Sequence, residues 1–106
     1  MRYKGDNDTL YIWEAVGHIF NKKKVYKIGV TSNRLGHSRI LAVAKKAGIE
    51  PKILFFHRTN NRATLTEVKM HRIGEDPGYE GFPGVTEFRA LTESELEQLI
   101  EIGSKA

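Results

Sequence analysis

Val25-Tyr26-Lys27-Ile28-Gly29-Val30-Thr31 is the stretch from which the rest of the chain can be read. It alternates as a strand does: Tyr26, Ile28 and Val30 share one face, and Val25, Lys27 and Gly29 share the other. The first triplet is apolar and is expected to face the core. Lys27 then projects from the opposite face, beside a glycine that leaves room for a close approach. A lysine so placed is either a solvated strand charge or a group that contacts phosphate.

Working outward, Leu10 to Gly17 reads as a preceding strand, with Leu10, Ile12 and Glu14 alternating with Tyr11 and Trp13. The polar run Phe20-Asn21-Lys22-Lys23-Lys24 makes the two an antiparallel hairpin with a several-residue loop. Across that hairpin Tyr11 falls on the Lys27 face. A phenol acts as a general base only where nearby cations stabilise its phenolate, and Lys27 and Arg39 are the cations available. Otherwise Tyr11 is an aromatic packing residue of the kind strands favour.

Thr31-Ser32-Asn33 breaks the strand. Ile40, Leu41, Ala44 and Ala47 then recur at helical spacing, so Ser38 to Ala47 is expected to be a helix ended by Gly48. Lys52 to Arg58 reads as a third strand, apolar enough to sit centrally. Arg62 to Ile73 reads as a second helix with Ala63, Leu65, Val68, Met70 and Ile73 as its apolar positions. Gly74 to Gly84, with four Gly and two Pro, reads as a loop. Thr86 to Arg89 is a short strand or a docked extended segment. Thr92 with Glu95 has the spacing of a capping box for a last helix running to about Ile102 and ending at Gly103. The order β-β-α-β-α-(β)-α predicts an α+β fold, a small three-stranded antiparallel β-sheet flanked by helices. Residues 1–9 are expected to be a flexible N-terminal segment and residues 10–104 a single domain.

The 106 residues suit one domain. The absence of cysteine excludes disulfides and thiolate metal sites and fits a reducing cytosol. No apolar run approaches the roughly 20 residues of a membrane span, and Met1 to Asp8 lacks the apolar core of a signal peptide. No membrane partner is therefore expected. The net charge of +4 is unevenly spread: residues 1–58 hold 12 Lys and Arg against 4 Asp and Glu, and residues 59–106 hold 5 against 9. A basic half of this kind is the footprint expected for phosphate backbones, or simply a basic surface.

Glu67 lies mid-helix with His71 one turn on. It is either part of a solvated face or a ligand for Mg²⁺, which takes one or two protein carboxylates and keeps its waters. A Glu and a His alone make a weak zinc pair.

Leu10-Tyr11-Ile12, then Tyr26-Lys27-Ile28-Gly29, then Arg39, Glu67 and the block Gly84 to Leu91 together resemble the GIY-YIG nuclease superfamily. Within it they are most similar to the phage-associated branch whose second motif reads Y-K-I-G. The resemblance spans Thr9 to Ile102. It implies a three-stranded sheet flanked by helices, cleavage of DNA phosphodiester bonds with one Mg²⁺ or Mn²⁺, and a cytoplasmic setting of phage or bacterial origin. Tyr11 matches the first-motif tyrosine, Arg39 the helix arginine on the scissile phosphate, and Glu67 the metal ligand. Lys27 stands where the second-motif tyrosine usually does, with Tyr26 beside it turned inward. His71 is a lesser candidate for proton shuttling, and Lys24, Arg34, Lys45 and Lys46 for nucleic-acid contact.

This chain departs from the family pattern in three places. Thr9 stands where the first motif has glycine. The longer interval from Lys27 to Arg39 lets Arg34 compete for the phosphate. No counterpart stands for the late asparagine that some members carry, and Glu87 or Arg89 falls in that region.

The implied roles are Tyr11, as a phenolate or through a water, as base toward the nucleophile, Lys27 as the group that lowers the Tyr11 pKa or steers the water, Arg39 as phosphate clamp and Glu67 as metal holder. Two rivals remain. One is a nucleic-acid-binding module of the same fold without turnover. The other is a protein-interaction domain using the acidic helix with Glu93, Glu95, Glu97 and Glu101. A domain this small leaves little surface for reading bases; members of the family add a reading domain or a partner protein or form a homodimer, so the expectation is a weakly specific nuclease, one that relies on such a partner, or a fragment of a longer protein.

Overall fold

A computed structural model describes residues 8–81 and 84–106. The elements run β1 (Thr9–Phe20), β2 (Lys23–Thr31), α1 (Gly36–Ala47), β3 (Pro51–Arg58), α2 (Ala63–Met70), a short 3-10 turn (Val85–Glu87), β4 (Phe88–Leu91) and α3 (Glu93–Ser104). The fold is α+β around one antiparallel sheet of order β3-β1-β2-β4. Residues 1–7 of the expected N-terminal segment, and Phe82 and Pro83 of the loop, lie outside the described residues. Asp8 and Thr9 belong to the fold. Thr9 is fully buried in β1, and Asp8 accepts from Arg58 Nε at 2.7 Å.

The sheet has four strands rather than three. The segment left open between strand and docked chain pairs with β2, from Lys24↔Leu91 to Lys27↔Phe88. The hairpin loop is two residues, not several. Phe20 pairs with Lys23, and Asn21 and Lys22 both take positive φ (51° and 66°), as a type I′ turn requires. β3 is an edge strand, not a central one, since it pairs with β1 alone. Its apolarity has another cause: both of its faces are covered, with Ile53 and Phe56 packed into one core cluster and Leu54 and Phe55 into the other.

That double cover is the main departure from expectation. Tyr26 and Ile28 do face a core, shared with Leu10, Ile12, Met70 of α2 and Leu99 of α3. The opposite face is a core too. There Tyr11, Trp13, Val25 and Phe88 pack against Ile40 and Ala44 of α1. Lys27 is therefore only 3% exposed instead of solvated. In α2 the buried positions are Ala63, Thr66 and Met70, while Leu65 and Val68 are turned to solvent. The helix ends at Met70, three residues before the expected Ile73. Leu41 of α1 is likewise exposed. Gly48 ends α1 in the left-handed conformation, and Thr92 with Glu95 forms the capping box of α3. Gly103 does not end α3. It lies inside it, where a Cβ would stand 2.8 Å from the Phe55 ring. No helix among the described residues is long and apolar enough to cross a membrane.

Lys22 occupies the turn position that glycine fills at least cost. Lys22→Gly is expected to raise stability by about 0.5–1 kcal/mol, read as an increase in the urea midpoint with an unchanged slope.

Candidate active site

The register of β1 on β2 sets Tyr11 opposite Gly29 and Trp13 opposite Lys27. The Tyr11 ring lies across the space that a side chain at position 29 would fill: a Cβ there would be 2.5 Å from the phenol oxygen and 2.7 Å from Cζ. Diagonally along the strand, Lys27 Nζ donates to Tyr11 Oη at 2.5 Å and to Glu87 Oε1 at 2.5 Å. Glu87 arrives from the turn that leads into β4, because Lys27 pairs with Phe88, the next residue.

Burial pushes the Tyr11 phenol above its ordinary value of 10.0, and the attraction of the Lys27 charge does not reverse that. The phenol is therefore protonated at neutral pH. Burial by itself would lower Lys27, but Tyr11 and Glu87 outweigh it and the ammonium is held above 10.5. Lys27 is charged throughout the physiological range.

β4 releases β2 at Phe88, so the β2 edge beyond Lys27 is open to other elements. His71, just past α2, fills part of it and donates through Nε2 to Ile28 O at 2.8 Å. This bond fixes α2 against β2 and leaves Nε2 committed to the backbone. It also brings Glu67 in, with Oε2 3.9 Å from His71 Nε2. Burial raises the Glu67 carboxyl above its usual value, opposed by His71 and reinforced by Glu87. Glu67, Glu87, Lys27 and Tyr11 thus form one electrostatic cluster.

Arg39 projects from α1 and shares with Tyr11 a cleft of about 140 Å³, completed by Val30, Thr31, Ile40 and Val43. It is exposed and has no carboxylate partner among the described residues. Arg34, Lys45 and Lys46 are exposed along the same loop and helix, where residues 33–49 contain no acidic side chain.

Two of the expected residues fall elsewhere. Tyr26 is buried on the α2–α3 face, with the sheet between it and Tyr11. Lys24 stands at the far end of β2, 4.0 Å from Glu14, seven residues from Thr31 and so about 23 Å away. Glu87 is the partner that sequence reasoning did not assign to Lys27. Only the β2–β4 register reveals it, although it lay in the quoted Gly84 to Leu91 block. Arg89 is a tie rather than a site residue, since it donates to Ile73 O (3.1 Å) and Gly74 O (2.5 Å) where the chain leaves α2. Among the described residues no three His, Asp or Glu side chains converge as a histidine-carboxylate metal cage would need.

No protein-family model, no curated protein and no solved structure matches this chain.

Two outcomes are expected. Gly29→Ala, by displacing the Tyr11 ring, should destabilise the fold by about 1–3 kcal/mol in chemical denaturation. Stability should also be level from pH 7 to 9 and fall above about pH 10, where the unfolded chain releases protons that folded Tyr11 and Lys27 retain. A pH series of urea melts checks this, and the fall should be shallower in Tyr11→Phe.

Proposed function

We propose that this protein is a metal-dependent endonuclease of the GIY-YIG type that hydrolyses DNA phosphodiester bonds. What carries the proposal is the meeting, in one cleft, of a phenol held by a buried ammonium and an arginine with no carboxylate partner among the described residues. A phosphodiester seated there has Arg39 for its non-bridging oxygens and Tyr11 on the side of an attacking water.

Glu67 suits a single Mg²⁺ or Mn²⁺. It is a half-buried carboxylate with no Lys or Arg bonded to it among the described residues, which matches an ion that takes few protein ligands and keeps its waters. Such an ion supplies stabilisation of the charge that develops on the leaving 3′ oxygen.

Water attacks phosphorus and gives its proton to Tyr11 in the phenolate form, while the bond to the 3′ oxygen breaks and that oxygen leaves with the bonding electron pair and takes a proton from solvent. Lys27 stays protonated and stabilises the phenolate form, which is the acceptor. Arg39 holds the phosphate as its charge grows. Lys45 and Lys46 lie on α1 within about 10 Å of Arg39 along the helix axis, and Arg34 lies in the turn that precedes the helix; none has a carboxylate partner among the described residues, and all three suit flanking phosphates.

Plasmid nicking with Mg²⁺ or Mn²⁺, abolished by EDTA, is the expected activity. Its rate should climb from pH 7 to 9.5, because the acceptor form of Tyr11 becomes more populated as its raised value is approached. Tyr11→Phe should cost about 10²–10⁴-fold in rate. Glu67→Gln should abolish nicking while raising the melting temperature at pH 7. The folded chain retains a proton on Glu67 that the unfolded chain has released, so stability falls as pH rises through that interval, and the amide removes the penalty. Salt-sensitive DNA binding without nicking in either metal would support the non-catalytic binding module instead.

A further inference from the structure

The Lys27 ammonium has three N–H bonds to place, and it donates to both Tyr11 Oη and Glu87 Oε1, each at 2.5 Å. One buried cation is thus shared between a phenol and a carboxylate. The Lys27 side chain is 4% exposed and that of Glu87 34%, so the carboxylate closes the cluster toward solvent. Backbone fixes its place. Glu87 N donates to Gly84 O at 3.0 Å to close the 3-10 turn. A Cβ on Gly84 would stand 3.0 Å from Lys27 Cε and 3.7 Å from Glu87 Oε1, so the turn is folded tightly over the ammonium. β4 begins at the next residue, Phe88, which pairs with Lys27.

Among the described residues, four charged side chains face Tyr11: Lys27 from β2, Glu87 from the 3-10 turn, Glu67 from α2 and Arg39 from α1. Its neighbour on β3 is the uncharged Phe56, and His37 of α1 stacks on the far ring at 4.2 Å. Lys27 favours the phenolate, while Glu87 and Glu67 oppose it. Lys27 and Glu87 together carry no net charge, so ionising Tyr11 adds a negative charge that the pair does not offset. Without the carboxylate, the same ionisation would make an ion pair with the ammonium.

We infer that Glu87 is a positioning residue that sets the pH range over which the site works: it fixes the Lys27 ammonium beside Tyr11 and takes up the charge that would otherwise draw the phenol into its anionic form. The inference rests on the nuclease reading for the reaction that Tyr11 serves, and not for the charge balance around it. A carboxylate kept only for folding would leave the phenol titration and the rate profile where they are.

The test compares the wild-type protein with Glu87→Gln and Glu87→Asp. Tyr11 ionisation is read from the Cζ carbon NMR shift of isotope-labelled tyrosine up to about pH 10, with Tyr11→Phe to assign the signal, and plasmid nicking in Mg²⁺ is followed over the same climb in pH. Glu87→Gln is expected to lower the Tyr11 midpoint by about one pH unit and to raise the nicking rate at pH 7 about tenfold. Glu87→Asp, its carboxylate one methylene short of Lys27 Nζ, should fall between the two. A Tyr11 midpoint in Glu87→Gln at or above the wild-type value overturns the inference and leaves the nuclease reading intact. Should circular dichroism show that Glu87→Gln does not fold, Glu87→Asp carries the same comparison with the same two outcomes. A lowered midpoint beside a rate profile that does not move also overturns the inference. A lowered midpoint in a protein that cuts no DNA upholds the control of Tyr11 by Glu87 and overturns the nuclease reading.

Discussion

A lysine ammonium inside a sheet-and-helix interface has to be compensated, and the arrangement around Lys27 follows from that requirement. Taking an ammonium out of water costs several kcal/mol unless hydrogen bonds and an opposite charge replace the lost solvent. Tyr11 supplies an acceptor and Glu87 supplies the charge. Each demands something of the backbone. The Tyr11 ring reaches Nζ only because position 29 has no side chain. Glu87 reaches it from a turn opened by Gly84, whose φ of +86° suits glycine and where a Cβ would meet Lys27 Cε at 3.0 Å. The same contacts that make the buried charge tolerable hold the phenol of Tyr11 in one orientation at the edge of the cleft.

The fourth strand sets the second half of the geometry by ending where it does. β4 pairs with β2 only as far as Phe88 and leaves Ile28 with an unpaired carbonyl at the edge. His71 takes that carbonyl, and α2 is thereby docked with Glu67 turned toward the Lys27 cluster. Arg89 fastens the exit of α2 through two backbone carbonyls. A carboxylate and a phenol from distant parts of the chain are brought together by ordinary backbone satisfaction, with no loop dedicated to the purpose.

The uneven charge along the chain also has a structural meaning. Much of the acidic half is spent on the fold: Glu95 closes the capping box of α3, Glu75 binds Lys23 at 3.2 Å, Glu101 lies 3.2 Å from Lys105, and Glu87 neutralises Lys27. The basic residues of α1 have no such partners among the described residues. Part of the positive charge left without a carboxylate partner among the described residues therefore lies on α1, beside the cleft that contains Tyr11 and Arg39.

Much of this was legible in local sequence. Period-two alternation in Val25 to Val30, the Gly48 stop and the Thr92–Glu95 cap are short-range rules, and the structure follows them because each is satisfied within a few residues. Tyr11 on the Lys27 face followed from hairpin pairing alone. Apolar runs were less informative. The hydrophobicity of Lys52 to Arg58 marks a strand covered on both sides, which composition does not distinguish from a central one. Leu65 and Val68 look like core positions, yet Thr66 is buried in their place: α2 docks through Ala63, Met70 and the His71 bond to Ile28 O, which turns Leu65 and Val68 to solvent. The burial of Lys27 and its pairing with Glu87 depended on β2–β4 register and on α1 closing the second face. Those are contacts between segments up to 60 residues apart. Their energetics arise from the removal of water by elements that no local window contains, so tertiary structure alone decided them.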